Sequence, residues 1–156
     1  MLPSKIDMTI DRYGDCMRQT DACFRTLRDG EMDKVRVLYK ELKSAQEAQA
    51  WGYFAVILGS FCKIVSAGFP QDDGVGRALS GVASTFEGMS GFKVKLDEGG
   101  ITKIQGLLEQ VRTHMQNTEK EDDELKQMLH QIEQMLERAK EQLNTALDKP
   151  FNNTNG

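Results

Sequence analysis

Apolar and polar positions alternate with a helical period along most of this chain. The clearest run lies in the C-terminal third. Ile101, Ile104, Leu108, Val111, Met115, Thr118, Asp122, Leu125, Leu129, Ile132, Leu136, Ala139, Leu143 and Ala146 follow one another at alternating steps of three and four. All but Thr118 and Asp122 are apolar, so they form one stripe, the seam pattern of a coiled coil or a long bundle helix. The polar stretch 117–123 contains no Gly or Pro, which favours one continuous helix over about 101–148, about 70 Å long. Thr118 and Glu121 have capping-box spacing, so a hairpin at Asn117 and Thr118 is the alternative. Lys149-Pro150 ends the helix, and residues 151–156 are expected to form a loose tail.

Upstream, Ile6, Ile10, Tyr13, Met17, Thr20, Phe24 and Leu27 repeat the same steps and predict an amphipathic helix over about 4–28. Gly30 is its expected left-handed cap. Val35, Leu38, Leu42 and Ala45 then predict a second helix from about residue 31, running without a break into a different kind of segment. That segment, residues 50–62, includes Trp51, Tyr53, Phe54, Val56, Ile57, Leu58 and Phe61 and is apolar all round. Lys63 interrupts it, and residues 64–69 are again mostly apolar before Pro70. An uncharged run of about a dozen residues suits a buried central helix, although a membrane-inserting or interfacial segment and a protein-binding surface share the pattern.

Asp72 or Asp73 can cap the next helix, expected over about 73–90. Val75, Leu79, Val82, Phe86 and Met89 form its apolar seam, and Gly74, Gly81 and Gly88 recur every seven residues beside it. Glycine costs a helix interior roughly 0.8–1.0 kcal/mol relative to alanine. Such a cost is tolerated on a face against which another backbone packs closely, although an ordinary tightly packed soluble helix or a flexible Gly/Ser stretch shares the pattern. Residues 90–100 read as an extended loop. The fold class is all-α: an elongated bundle of about four to five helices in one domain, the C-terminal helix the longest.

Composition narrows the function more than the fold. The chain has 156 residues, 28% charged, with a net charge of −4. Its acidity argues against nucleic acid as a partner. The three cysteines, Cys16, Cys23 and Cys62, make no disulfide framework and suit a reducing compartment. No apolar run follows the basic start, so no cleaved leader is expected.

Chemistry is hard to find. His114 and His130 stand sixteen residues apart, about 24 Å on one helix. His130 and Glu133 make a pair of ligands, which is not a metal site. No Cys-x-x-Cys, Walker or dinucleotide fingerprint is present. The acidic run at Glu121, Asp122, Asp123 and Glu124 projects around a helix and cannot form a calcium cage. No catalytic residue, metal or cofactor is expected.

The order of parts resembles the membrane-proximal and C-terminal portions of bacterial type III secretion translocators and related helical secreted proteins. Those parts are an apolar segment at 51–69, a Gly/Ser-rich amphipathic helix at 74–91 (GVGRALSGVASTFEGMSG) and a polar coiled coil at 101–147. The resemblance covers roughly residues 51–148 and lies in the pattern. It implies an apolar segment that meets a host membrane, a coiled coil that assembles with partners or a chaperone, and export from the bacterial cytoplasm without a cleaved signal. This chain departs from the family in being short and in carrying Lys63. The expectation is a non-enzymatic interaction protein. Its contacts would run through residues 51–61, through the face of Gly74, Gly81 and Gly88, and through the seam of Ile104, Leu108, Val111, Met115, Leu125, Leu129, Ile132, Leu136 and Leu143. The alternative is a soluble cytoplasmic adaptor or secretion chaperone that forms a homo-oligomer through that seam.

Overall fold

Helices follow wherever the apolar stripes run, but they are shorter and more numerous than the stripes. The computed structural model describes residues 5–19, 24–25, 27–70, 73–88, 98–115 and 120–148. These carry α1 (Lys5–Gln19), α2 (Asp29–Glu47), α3 (Trp51–Ser66), α4 (Gly74–Gly88), α5 (Glu98–His114) and α6 (Lys120–Asp148). No strand occurs among the described residues, and the class is all-α.

The apolar helix α3 lies between α2 and α4, and α4 between α3 and α1. The α5–α6 pair closes the bundle, α5 against α1 and α4, and α6 against α2. Phe54, Leu58, Phe61 and Cys62 of α3 are fully buried, as are Leu79, Val82 and Phe86 of α4. Burying a side chain of this size contributes roughly 1.5–3 kcal/mol, so α3 and α4 supply a large share of the core, with α5 and α6 supplying another. Asp73 caps α4 as its sequence suggests: its carboxylate accepts from the N–H groups of Val75 (3.1 Å) and Gly76 (3.3 Å).

Three expected helices are corrected. The continuous C-terminal helix is instead two helices folded back on each other. Arg112 on α5 forms a bidentate pair with Glu133 on α6 (2.6 and 3.1 Å). Gln105 donates to the Glu133 carbonyl (3.0 Å) and to the Glu137 carboxylate (3.2 Å). On one straight helix Gln105 and Glu137 would be about 48 Å apart. The ladder allowed this because each half can bury its stripe against the other. The stripe fails at its polar step, where the alternative hairpin was expected; Asn117 and Thr118 themselves lie outside the described residues. Glu98, Gly99 and Gly100, expected in a loop, form the first turn of α5. The rest of that loop, Cys23, Met89 and the tail also fall outside.

The first helix does not reach Arg28. Phe24, Arg25, Leu27 and Arg28 are non-helical, and Gly30 is the second residue of α2 instead of a cap. Phe24 and Leu27 are buried all the same. They sit on a strap whose backbone N–H groups donate to other helix ends, Phe24 to the His114 carbonyl (3.4 Å) and Arg25 to the Gly68 carbonyl (2.7 Å). The Phe24 ring occupies the place a Cβ of Gly68 would take and packs edge-on against Phe69, centroids 5.2 Å apart. The Glu31 carboxylate accepts the Arg28 N–H (2.9 Å) and so starts α2. That hydrogen bond, with Arg25 beside it, holds the Glu31 carboxyl below its usual range.

The expected single helix over 31–69 breaks at residues 48–50. Ala50 N–H donates to the Ala45 carbonyl (2.9 Å) and Gln49 N–H to the Gln46 carbonyl (3.1 Å), the pair of bonds of a Schellman cap. Gln49 holds the left-handed position at φ 57°. Such caps usually carry glycine there, and its absence hides the break from sequence. A left-handed L-residue costs roughly 1–2 kcal/mol, partly offset in glycine by its larger unfolded-state entropy. Gln49→Gly is therefore expected to raise stability by about 0.5–1 kcal/mol, read as a higher urea midpoint at unchanged slope.

Candidate functional site

The residues singled out as contact surfaces divide between core and exterior. Phe54, Leu58 and Phe61 are fully buried and Ile57 is 8% exposed. Trp51 and Val56 are partly exposed, and Tyr53 is 51% exposed. Trp51 is anchored to α6, its indole N–H donating to Gln142 (2.8 Å). The wider side of α3 is thus the centre of the bundle, and only a narrow outer stripe meets solvent. Among the described residues no helix is long and apolar enough to cross a membrane.

The glycine face meets this chain's own first helix. A Cβ on Gly74 would stand 2.7 Å from the Cys16 carbonyl carbon and 2.8 Å from the Met17 nitrogen, both backbone atoms. A Cβ on Gly81 would fall on the Thr9 side chain. The two glycines and the two α1 contacts are each seven residues apart, so α1 and α4 run antiparallel at close range. The surroundings of Gly88 lie outside the described residues.

The seam is likewise internal. Ile104, Leu108, Val111, Met115, Leu125, Leu129, Ile132 and Leu136 are at most 1% exposed within a single chain; the Leu143 side chain is outside the described residues. Leu107, Met128 and Met135 beside it are also buried. That makes the apolar face wider than a two-stranded seam, as a helix with several neighbours requires. Arg36 of α2 clasps Glu124 of α6 with two 2.9 Å hydrogen bonds, and Lys103 of α5 pairs with Asp11 of α1.

The titratable groups are dispersed. His114 Nδ1 lies 2.7 Å from the Gln110 carbonyl, one turn back on its own helix. His130 Nε2 meets the Gln134 amide at 3.1 Å. Burial pushes the Cys62 thiol up to about 12, so it stays protonated near neutrality, whereas Cys16 is exposed. Among the described residues no three His, Cys, Asp or Glu side chains gather as metal ligands.

Open concavities remain on the outside. A polar groove of about 980 Å³ runs between Tyr13 of α1 and the Arg77, Ser80 and Ser84 face of α4. A shallower hollow of about 340 Å³ between α2 and α3 is lined by Asp33, Lys34, Val37, Leu38 and Ile64. On the other flank of α3, Val56, Ser60, Lys63, Ile64 and Glu87 border a cleft of about 280 Å³. Among the described residues the exposed large apolar side chains are Val37 (59%) and Tyr53 (51%) on the outer face of α2 and α3, and Met8 (56%) on α1. Sequence reading did not single out Glu87 and Ser60 of the outer face. The signal was present: in an otherwise apolar run, Ser60 and Lys63 mark the one side of α3 that faces out.

No protein-family profile matches the chain, and no curated protein or solved structure is significantly similar to it.

Proposed function

We propose that this chain is a non-enzymatic helical interaction protein that works as a folded bundle and meets protein partners through the outer face of α2, α3 and α4. One observation carries the reading: the apolar side of α3 and the C-terminal seam are both buried within the single chain, while Val37 and Tyr53, two of the three exposed large apolar side chains among the described residues, lie on that outer face. Inserting α3 into lipid would first require removing Phe54, Leu58 and Phe61 from the core. An adaptor or chaperone role fits this better than a translocator-like one. Export by a type III system belongs to the resemblance of pattern alone and adds nothing to the assignment of the face.

Flotation with neutral and anionic liposomes tests it. The chain is expected to stay with the soluble fraction, and Trp51 fluorescence to be unchanged by lipid. Flotation with a blue shift would move the apolar helix into the bilayer and restore the translocator-like reading.

A further inference from the structure

The outward side of α3 carries Gly52, Tyr53, Val56, Ser60, Lys63, Ile64 and the C-cap residue Ala67, and within it Tyr53, Val56, Ser60, Ile64 and Ala67 form one stripe. Its steps are three, four, four and three, so the spacing reads the same in both directions about Ser60. Set antiparallel to itself, the stripe matches in size as well as spacing. Tyr53 meets Ala67, Val56 meets Ile64, and the small Ser60 meets itself. The charges at its margins reverse in the same way. On α2, Lys34 and Glu41 flank the exposed Val37. The Tyr53 hydroxyl donates to Glu41 (3.1 Å), and Lys34 shares a hollow with Ile64, so inversion about Ser60 carries Lys34 onto Glu41. On the other flank, a Cβ on Gly59 would lie 2.9 Å from Phe86 Cβ, which sets the neighbouring Glu87 toward the Val56 end, opposite Lys63. Lys34, Lys63 and Glu87 have no ion pair among the described residues.

From this match of shape and charge we propose that the outer face of α2, α3 and α4 binds a second copy of this chain, with α3 antiparallel to α3 across a two-fold axis at Ser60. An isologous interface requires each residue's partner to meet its own counterpart in return, and this stripe satisfies that condition. The inference rests on the reading of this face as the contact surface. The face is about 24 Å long and three helices wide at about 8–10 Å spacing. It lies at the small end of specific interfaces, so the dimer is reversible.

Sedimentation equilibrium on the full chain, up to about 0.5 mM, tests the proposal. A monomer–dimer equilibrium is expected. Ser60→Arg places like charges together on the axis and is expected to raise the dissociation constant at least about tenfold, with helical content and melting temperature unchanged because Ser60 is exposed. Lys63→Glu is expected to weaken the dimer, and adding Glu87→Lys to restore it. A protein that is monomeric throughout, or a dimer indifferent to Ser60→Arg, overturns the proposal. Monomers that ignore liposomes overturn only the second copy as occupant and leave the face to a different protein. Monomers that float overturn the contact-surface reading as well.

Discussion

Leu129→Asp is expected to unfold the chain, not to divide an oligomer into subunits. Leu129 is fully buried on the face of α6 that packs toward α5 and α2. The substitution removes a core leucine, worth about 2–5 kcal/mol in large-to-small changes. It also places a carboxylate in the apolar core, at a further cost of several kcal/mol after relaxation. Set against a total stability of about 5–15 kcal/mol, that is enough to abolish the folded state, and Leu136→Asp is expected to do the same. Far-UV circular dichroism decides it: helical signal should be lost, or the urea midpoint should collapse. A helical, cooperatively melting monomer would instead mean that this seam joins chains.

The second large effect is expected from Gly74→Leu. The nearest atoms to the new Cβ are Cys16 Cβ, 2.5 Å away, and backbone atoms of Cys16 and Met17, none of which a rotamer change can move aside. The whole of α1 must shift, or the side chain must leave its helix. Overpacking of this kind costs roughly 1–3 kcal/mol, occasionally more, against at most about 1 kcal/mol regained in helix propensity. Thermal unfolding should show a fall in midpoint of several degrees. The Cys16 thiol, exposed already, should react faster with a maleimide if α1 is what yields. An unchanged midpoint would mean that the α1–α4 approach is looser than described.

Most helical residues were legible from spacing because the stripes that name a helix are the faces it buries. The glycine heptad had more than one reading in sequence; in the fold Gly74 lies against the α1 backbone and Gly81 against the Thr9 side chain. The breaks were not legible. Gln49 stands where a glycine would have announced the end of α2. The ladder passes from Val111 to Leu125 in phase, so its period is indifferent to the fold-back. What distinguished a bundle from a coiled coil was the width of the stripe. Leu107, Met128 and Met135 extend the apolar face of α5 and α6 beyond alternate threes and fours, and their burial reflects the extra neighbours. The outer face of α3 was marked only by Ser60 and Lys63, because the rest of the run is apolar and shows no periodicity of its own.

The position of α1 bears on how the chain is made. This helix packs chiefly on α4 and α5, and the strap behind it docks on Gly68 and His114. All of these are built after it. At ribosomal speeds of roughly 5–20 residues per second, about 5–20 s pass between the end of α1 and the emergence of His114. Until α4 is made, part-way through that interval, Ile6, Ile10 and Met17 lack their main native surface, while α2 and α3 can already pair. The nascent chain thus holds an amphipathic N-terminal helix in waiting, open to whatever factor stands at the tunnel exit.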